Sequence, residues 1–137
     1  RCMTAKEYLS EAFNLKRSIE IKMKRAEVLR KLAERARVEI SELPKSPNHP
    51  KSPMEEAMIK LFTVEEEILH DTDELTIVMR SIQSSINDVP DSSCRLILEM
   101  RYLAFMKWED IASELGWTER NVFYVHGKAL RLVKIQA

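Results

Sequence analysis

An all-α fold is predicted by three features of the 137-residue sequence. It holds only 2 glycines, four of its 5 prolines crowd into residues 44 to 53, and its apolar residues recur at steps of three and four on either side of that segment. Glycine and proline are the residues that interrupt helices, so their scarcity elsewhere leaves long stretches able to stay helical. Apolar residues make up 45% of the chain, enough to bury a core, and 22 Lys plus Arg balance 22 Asp plus Glu. A neutral total excludes a protein that coats polyanions through bulk charge.

The first helix is carried by a heptad seam. Stepping alternately by three and four from Ala5 meets Tyr8, Ala12, Leu15, Ile19, Lys22, Ala26, Leu29, Ala33, Ala36, Ile40 and Leu43, and only Lys22 among them is polar. The prolines at 44, 47, 50 and 53 then delete donors and push each preceding residue out of helical geometry, so residues 44–53 form an extended connector. From Met54 the same stepping meets Met58, Leu61, Glu65, Ile68, Thr72, Leu75, Met79, Ile82, Ile86 and Val89, a second long helix whose seam is polar only at Glu65 and Thr72.

Charge pairs the two helices. Residues 1 to 53 carry 13 basic and 7 acidic side chains, and residues 54 to 90 carry 2 and 9. A ten-residue connector cannot run back along a helix of about 50 Å, because extended chain covers at most about 3.6 Å per residue. Residues 1–90 are therefore expected to form an antiparallel coiled-coil hairpin, with Leu15, Ile19, Leu29 and Ile40 in its seam against Leu61, Ile68, Leu75, Met79 and Ile82. Lys22, Glu65 and Thr72 read as register devices. Such a hairpin leaves Phe62 and Leu69 poorly covered, so a homodimer, built as a four-helix bundle, is expected. Scaffold and partner-binding arm both remain open as roles for it. The acidic groups at 65–67 and 71–74 read as a solvated face opposing the basic helix, with no metal site.

A second unit, residues 91–137, begins after Pro90, with Asp91 as the cap of a helix running to Leu103. Ile111, Ala112 and Leu115 then form the apolar stripe of a short helix, Ala112 being small where another helix crosses. Gly116 follows as the left-handed residue that ends it, Trp117 plugs the turn, and Thr118 caps a last helix packed through Val122, Val125 and Ala129. The pattern is that of a helix-turn-helix, or alternatively of a plain three-helix bundle with a tight turn. Glu109, Asp110 and Glu119 sit in first turns, where the helix dipole favours them, and are thus explained without catalysis.

The run from Leu96 to Leu103, then Trp108 to Thr118, Val122 and Lys128 to Arg131, resembles region 4 of sigma-70-type factors, the module that reads the −35 promoter element. The resemblance covers about 45 residues. With the helical hairpin in front, the whole chain resembles the ArpU- and RinA-type transcriptional regulators of Gram-positive phages and prophages, a likeness resting on architecture and on the opening from Met3 to Leu9. It implies a sequence-specific regulator that binds double-stranded promoter DNA as a dimer and activates late genes in the bacterial host cytoplasm, with host RNA polymerase as a further partner. The last helix would lie in the major groove and read bases through Thr118, Glu119, Arg120, Asn121, Phe123 and Tyr124. Side-chain chemistry agrees: Asn bonds adenine bidentately, Arg reaches guanine or phosphate, and aromatics touch the thymine methyl. Lys128, Arg131 and Lys134 would hold phosphates.

Departures from the sigma pattern qualify the expected target. Glu119, Phe123 and Tyr124 stand where sigma factors usually carry basic or amide groups, so the standard −35 hexamer does not transfer, and Phe123 is alternatively half buried. Lys107 stands where a Ser or Thr cap is usual. No strand-melting domain is recognised, so the chain is not expected to open a promoter alone. The alternatives are a small-terminase-like subunit recognising DNA for packaging and an adaptor that binds only protein. An enzyme is not expected: there is no Gly-rich phosphate loop, no nucleophile with a paired base, and Cys2, Cys94, His49, His70 and His126 form no ligand cluster, so no cofactor is expected either. With no signal segment and no membrane-length apolar run, a cytoplasmic, non-membrane protein is expected.

Overall fold

A computed structural model describes residues 3–40 and 52–136. Among these residues helices are joined by short turns, with no strand. Helix α1 spans Ala5–Ile40, α2 Pro53–Asn87, α3 Ser92–Leu98, α4 Trp108–Leu115 and α5 Glu119–Leu132, and a π-helical turn over Glu99–Leu103 prolongs α3. No helix among the described residues is long and apolar enough to cross a membrane.

The long helices start on paired signals. The Thr4 hydroxyl accepts from the Glu7 amide at 3.1 Å, and the Ser52 hydroxyl accepts from the Glu55 amide at 3.1 Å. Each cap satisfies one of the orphan amides of a first turn. Pro53, read as the end of the connector, is the first residue of α2, where its missing amide costs nothing. The rest of the expected connector, Pro44 to Lys51, lies outside the described residues.

The described residues fall within two compact units, Arg1–Lys16 with Glu74–Ala137 and Arg17–Asp73, whereas breakers and composition drew a line near residue 90. In the first unit Tyr8, Leu9 and Ala12 of α1 bury against Ile82, Ile86 and Val89 of α2 and against Cys94, Leu98, Tyr102 and Ala129. The Tyr8 hydroxyl there meets the hydroxyls of Ser81 and Ser85. A second cluster joins Ile97 and Met100 to Ile111, Ala112 and Val122, flanked by Trp108, Leu115, Trp117 and Val125.

In the second unit α1 runs antiparallel to α2, as the pairings of Lys22 with Asp71 and of Arg30 with Glu65 require. Its core is small: Ala26, Leu61 and Val64, with Leu29, Met58 and Ile68 packed at the edge. Ala33, Ala36 and Ala57 are buried as well.

The expected seam of α1 has its burial described from Ala5 to Ala36. Tyr8, Ala12, Ala26, Ala33 and Ala36 are buried, and Leu15, Ile19 and Leu29 are half-buried. The side chain of Ile40 lies outside the described residues. On α2, Leu61 and Ile82 are buried and Ile68, Leu75 and Met79 half-buried, but the phase between them is corrected. The buried line runs Ala57, Leu61, Val64, Ile68, Asp71, Leu75, Val78, Ile82, Ser85, Val89, so Val64 and Asp71 take the places read for Glu65 and Thr72. Thr72 is exposed and returns its hydroxyl to the Ile68 carbonyl at 2.7 Å. Asp71, 8% exposed, accepts from the Lys22 ammonium at 2.6 Å, and this bond holds the Lys22 pKa above its usual value. The polar seam pair is thus Lys22 with Asp71, and a buried carboxylate is tolerated there because it is paired.

Candidate nucleic-acid interface

The last helix is set by the turn in front of it. Lys107 precedes α4 with no side-chain cap, and α4 ends at Gly116, whose φ of 69° is left-handed. The Trp117 amide closes back on the Ala112 carbonyl at 3.0 Å, satisfying one of the carbonyls that a helix end leaves open. Thr118, two residues after the glycine, is extended and its hydroxyl accepts from the Asn121 amide at 3.1 Å, which caps α5 at its start.

Within α5, Val122, His126 and Ala129 are buried, a spacing of four and three that fixes one face inward. Thr118, Glu119, Arg120, Asn121, Phe123 and Tyr124 are all exposed, Tyr124 by 69% and Phe123 by 48%. All six are thus gathered around the first two turns of one helix. Lys128, Arg131 and Lys134 are exposed too, with Lys134 beyond the helical end at Leu132. Lys128 is engaged: its ammonium lies 3.3 Å from Asp91 Oδ2. Asp91 also caps α3 by accepting from the Cys94 amide at 3.0 Å. That backbone bond first, and Lys128 second, hold its carboxyl below the usual range.

Residues given no role from sequence support this face. Trp108, at the start of α4, lies 5.2 Å from the Phe123 ring and meets His126 edge-on at 4.5 Å. The Arg101 guanidinium sits 4.5 Å over Trp108 while donating to the Met106 carbonyl at 2.8 Å. Phe123 is therefore held on one side by Trp108 and open on the other. His126 is buried and lies 2.6 Å from the Tyr102 hydroxyl. Burial, followed by the charges of Lys6 and Arg101, pushes the His126 pKa down to about 4, and burial pushes Tyr102 up to about 12. At neutral pH the imidazole is uncharged, and its tautomer sets which of the phenol and Nε2 donates. The signal for this cluster in the sequence was the position of His126 at Val122 plus four, on the inward stripe; its partners Tyr102 and Trp108 come from other elements.

The π-helical turn orients Arg101. The Ala104 amide reaches the Glu99 carbonyl at 2.9 Å, and Phe105 then takes a left-handed φ of 57° with its ring 6.4 Å from Phe13. Left-handed backbone at an aromatic residue is strained and persists only where packing fixes it. A π-turn inserts one extra residue into the helical ladder, a local adjustment often found at working sites.

The chain belongs to the family described as protein of unknown function (DUF1492), whose sequence model matches residues 50–133. The match takes in α2 to α5 as one stretch. No curated protein and no solved structure matches the chain.

Proposed function

We propose that this protein is a sequence-specific DNA-binding transcriptional regulator of phage or prophage origin that acts as a dimer, with α4 and α5 as a sigma region 4-like helix-turn-helix. In this reading α5 lies in the major groove, Arg120 and Asn121 bond base edges, and Phe123 and Tyr124 offer apolar contact to thymine methyls. Arg131 and Lys134 hold phosphates, and Lys128 exchanges Asp91 for one. Activation of late genes, with recruitment of host RNA polymerase in the host cytoplasm, completes the proposal.

One observation carries it: six side chains able to read a base or a groove edge are exposed together at the start of α5, while Val122, His126 and Ala129 anchor the opposite face. Such a short, rigidly capped helix presents its N-terminal residues as recognition helices do. Glu119 adds selectivity, since a carboxylate accepts from cytosine and is repelled by phosphate.

The test is selection of duplexes from a random pool, followed by titration of the enriched site. Wild type is expected to prefer that site over scrambled duplex. Arg120→Ala with Asn121→Ala should lose on the order of 10- to 100-fold on it, with binding to scrambled duplex little changed. Equal affinity of wild type and variant for the selected site would overturn the reading. Residues 91 to 137 carry 7 basic and 6 acidic side chains, so affinity should depend weakly on salt, and Lys134→Ala should lower that dependence by about one further ion.

A further inference from the structure

We infer that the groove between α1 and α2 in the unit Arg17–Asp73 is a dimer surface that receives the same groove of a second copy, α1 of one chain lying on α2 of the other in a four-helix bundle. The inference rests on the dimeric part of the proposed function and not on DNA recognition.

The groove has a volume of about 570 Å³ and is lined by Ile21, Lys24, Arg25 and Val28 of α1 and by Ile59 and Lys60 of α2, among others. Val64 and Leu29 form its floor, while three apolar members on its walls are out in solvent: Ile21 is 56% exposed, Val28 57% and Ile59 47%. The layer below them is thin, because most of what α1 buries in this unit is alanine. Two helices alone cannot cover an apolar face of this width, and among the described residues no further layer covers it.

Charge identifies that layer. Lys24, Arg25 and Lys60 make no ion pair among the described residues. On α2 of the same unit, Glu55, Glu56, Glu66 and Asp73 are exposed and likewise make none. A second copy supplies both halves at once: apolar α1 positions meet Ile59, and the α1 cations meet α2 carboxylates. Alternation of basic and acidic helices around the bundle places like helices on the diagonals, and exchange of the same patch between two chains closes the assembly at a dimer. The opposite side of the unit is a poorer candidate. Phe62 and Leu69 are exposed there, but they flank Glu65, which already faces Arg30 at 3.8 Å, itself beside Glu27 at 3.5 Å.

Sedimentation equilibrium of the full chain without DNA tests the surface. Wild type is expected to be dimeric at micromolar concentration. Val28→Glu with Ile59→Glu should weaken the dimer at least about 100-fold while helicity by circular dichroism is retained, since both sites are solvent-facing. Lys24→Glu/Arg25→Glu should also dissociate, as should Glu55→Lys/Glu56→Lys, and mixing these two proteins should restore a heterodimer because both of its interfaces regain opposite charge. A monomeric wild type, a dimer indifferent to Val28→Glu/Ile59→Glu, dissociation by Phe62→Glu/Leu69→Glu instead, or a mixture that stays monomeric would each overturn it. A monomer that still selects a DNA sequence would sink this surface and leave the DNA reading standing; a dimer of this form with no DNA preference would do the reverse.

Discussion

The α4–α5 pair and the α1–α2 arm of residues 17–73 are both antipodes of the same problem, helices that must cover apolar faces, and they solve it to different degrees. In the pair, Ile111 and Val122 are fully buried and bulky residues from α3 and the π-turn close over them. Caps at Asp91 and Thr118 and the left-handed Gly116 fix where each helix starts and stops. In the arm the buried residues are mostly alanines, and Ile21, Val28, Ile59, Phe62 and Leu69 are left in solvent. An exposed side chain therefore means different things in the two regions. On α5, where one face is packed, exposed Arg120, Asn121 and Tyr124 are not needed for folding, and the proposed function gives them their use. On the arm, exposed aliphatics mark packing that the described residues do not finish.

Core truncations probe this contrast most strongly. Ile111→Ala should cost about 3 kcal/mol in denaturant unfolding, because a rigid, filled cluster cannot collapse around the void. Leu61→Ala in the arm should cost less, about 2 kcal/mol, and its midpoint should rise with protein concentration if the arm is completed by a second chain. Equal, concentration-independent losses would erase the distinction between the regions.

Acid should act on the C-terminal pair first. His126 is neutral when folded, with a pKa pushed down to about 4 against an ordinary value of 6.5. The unfolded chain then binds the proton that the native chain refuses, so stability is full above pH 6.5 and falls as the pH drops toward 4. The loss should be about 1 to 2 kcal/mol after allowance for partial solvent screening, and a variant with His126→Leu should lose this pH dependence. Nitrogen-resolved NMR titration of the imidazole checks the sign directly.

Smaller effects sharpen the comparison further. Gly116→Ala and Thr118→Ala should each cost about 1 kcal/mol, the first by torsional strain and the second by loss of the cap, and under the proposed function both should lower DNA affinity by misplacing α5. Arg30→Ala in the arm should change stability by less than about 0.5 kcal/mol, as its charge partners are exposed.

Much of this architecture was legible from residue order. Breakers located the long helices, and Gly116 with Thr118 located the turn, because single residues determine helix ends. The α2 seam was legible only at every second position. Leu61, Ile68, Leu75, Ile82 and Val89 belong to both phases, while the choice of Val64 and Asp71 over Glu65 and Thr72 depends on Lys22 reaching across from α1. An apolar tally penalises Asp71 at a seam; its pairing with Lys22 is a tertiary fact. The exposed face of α5 followed from the buried spacing of Val122 and Ala129. Its buttress did not, since Trp108, Tyr102 and Arg101 converge on His126 and Phe123 only once the π-turn has shifted the ladder by one residue.

The glycine that ends α4 has a further consequence. A Cβ added at Gly116 would meet nothing within 4 Å, so the position demands handedness and not room. A mirror-image alanine, introduced there by chemical ligation, has its own minimum at positive φ and would narrow the unfolded chain's freedom without clashing. The L- and D-alanine proteins should therefore move in opposite directions in thermal stability, one below the parent and one above it.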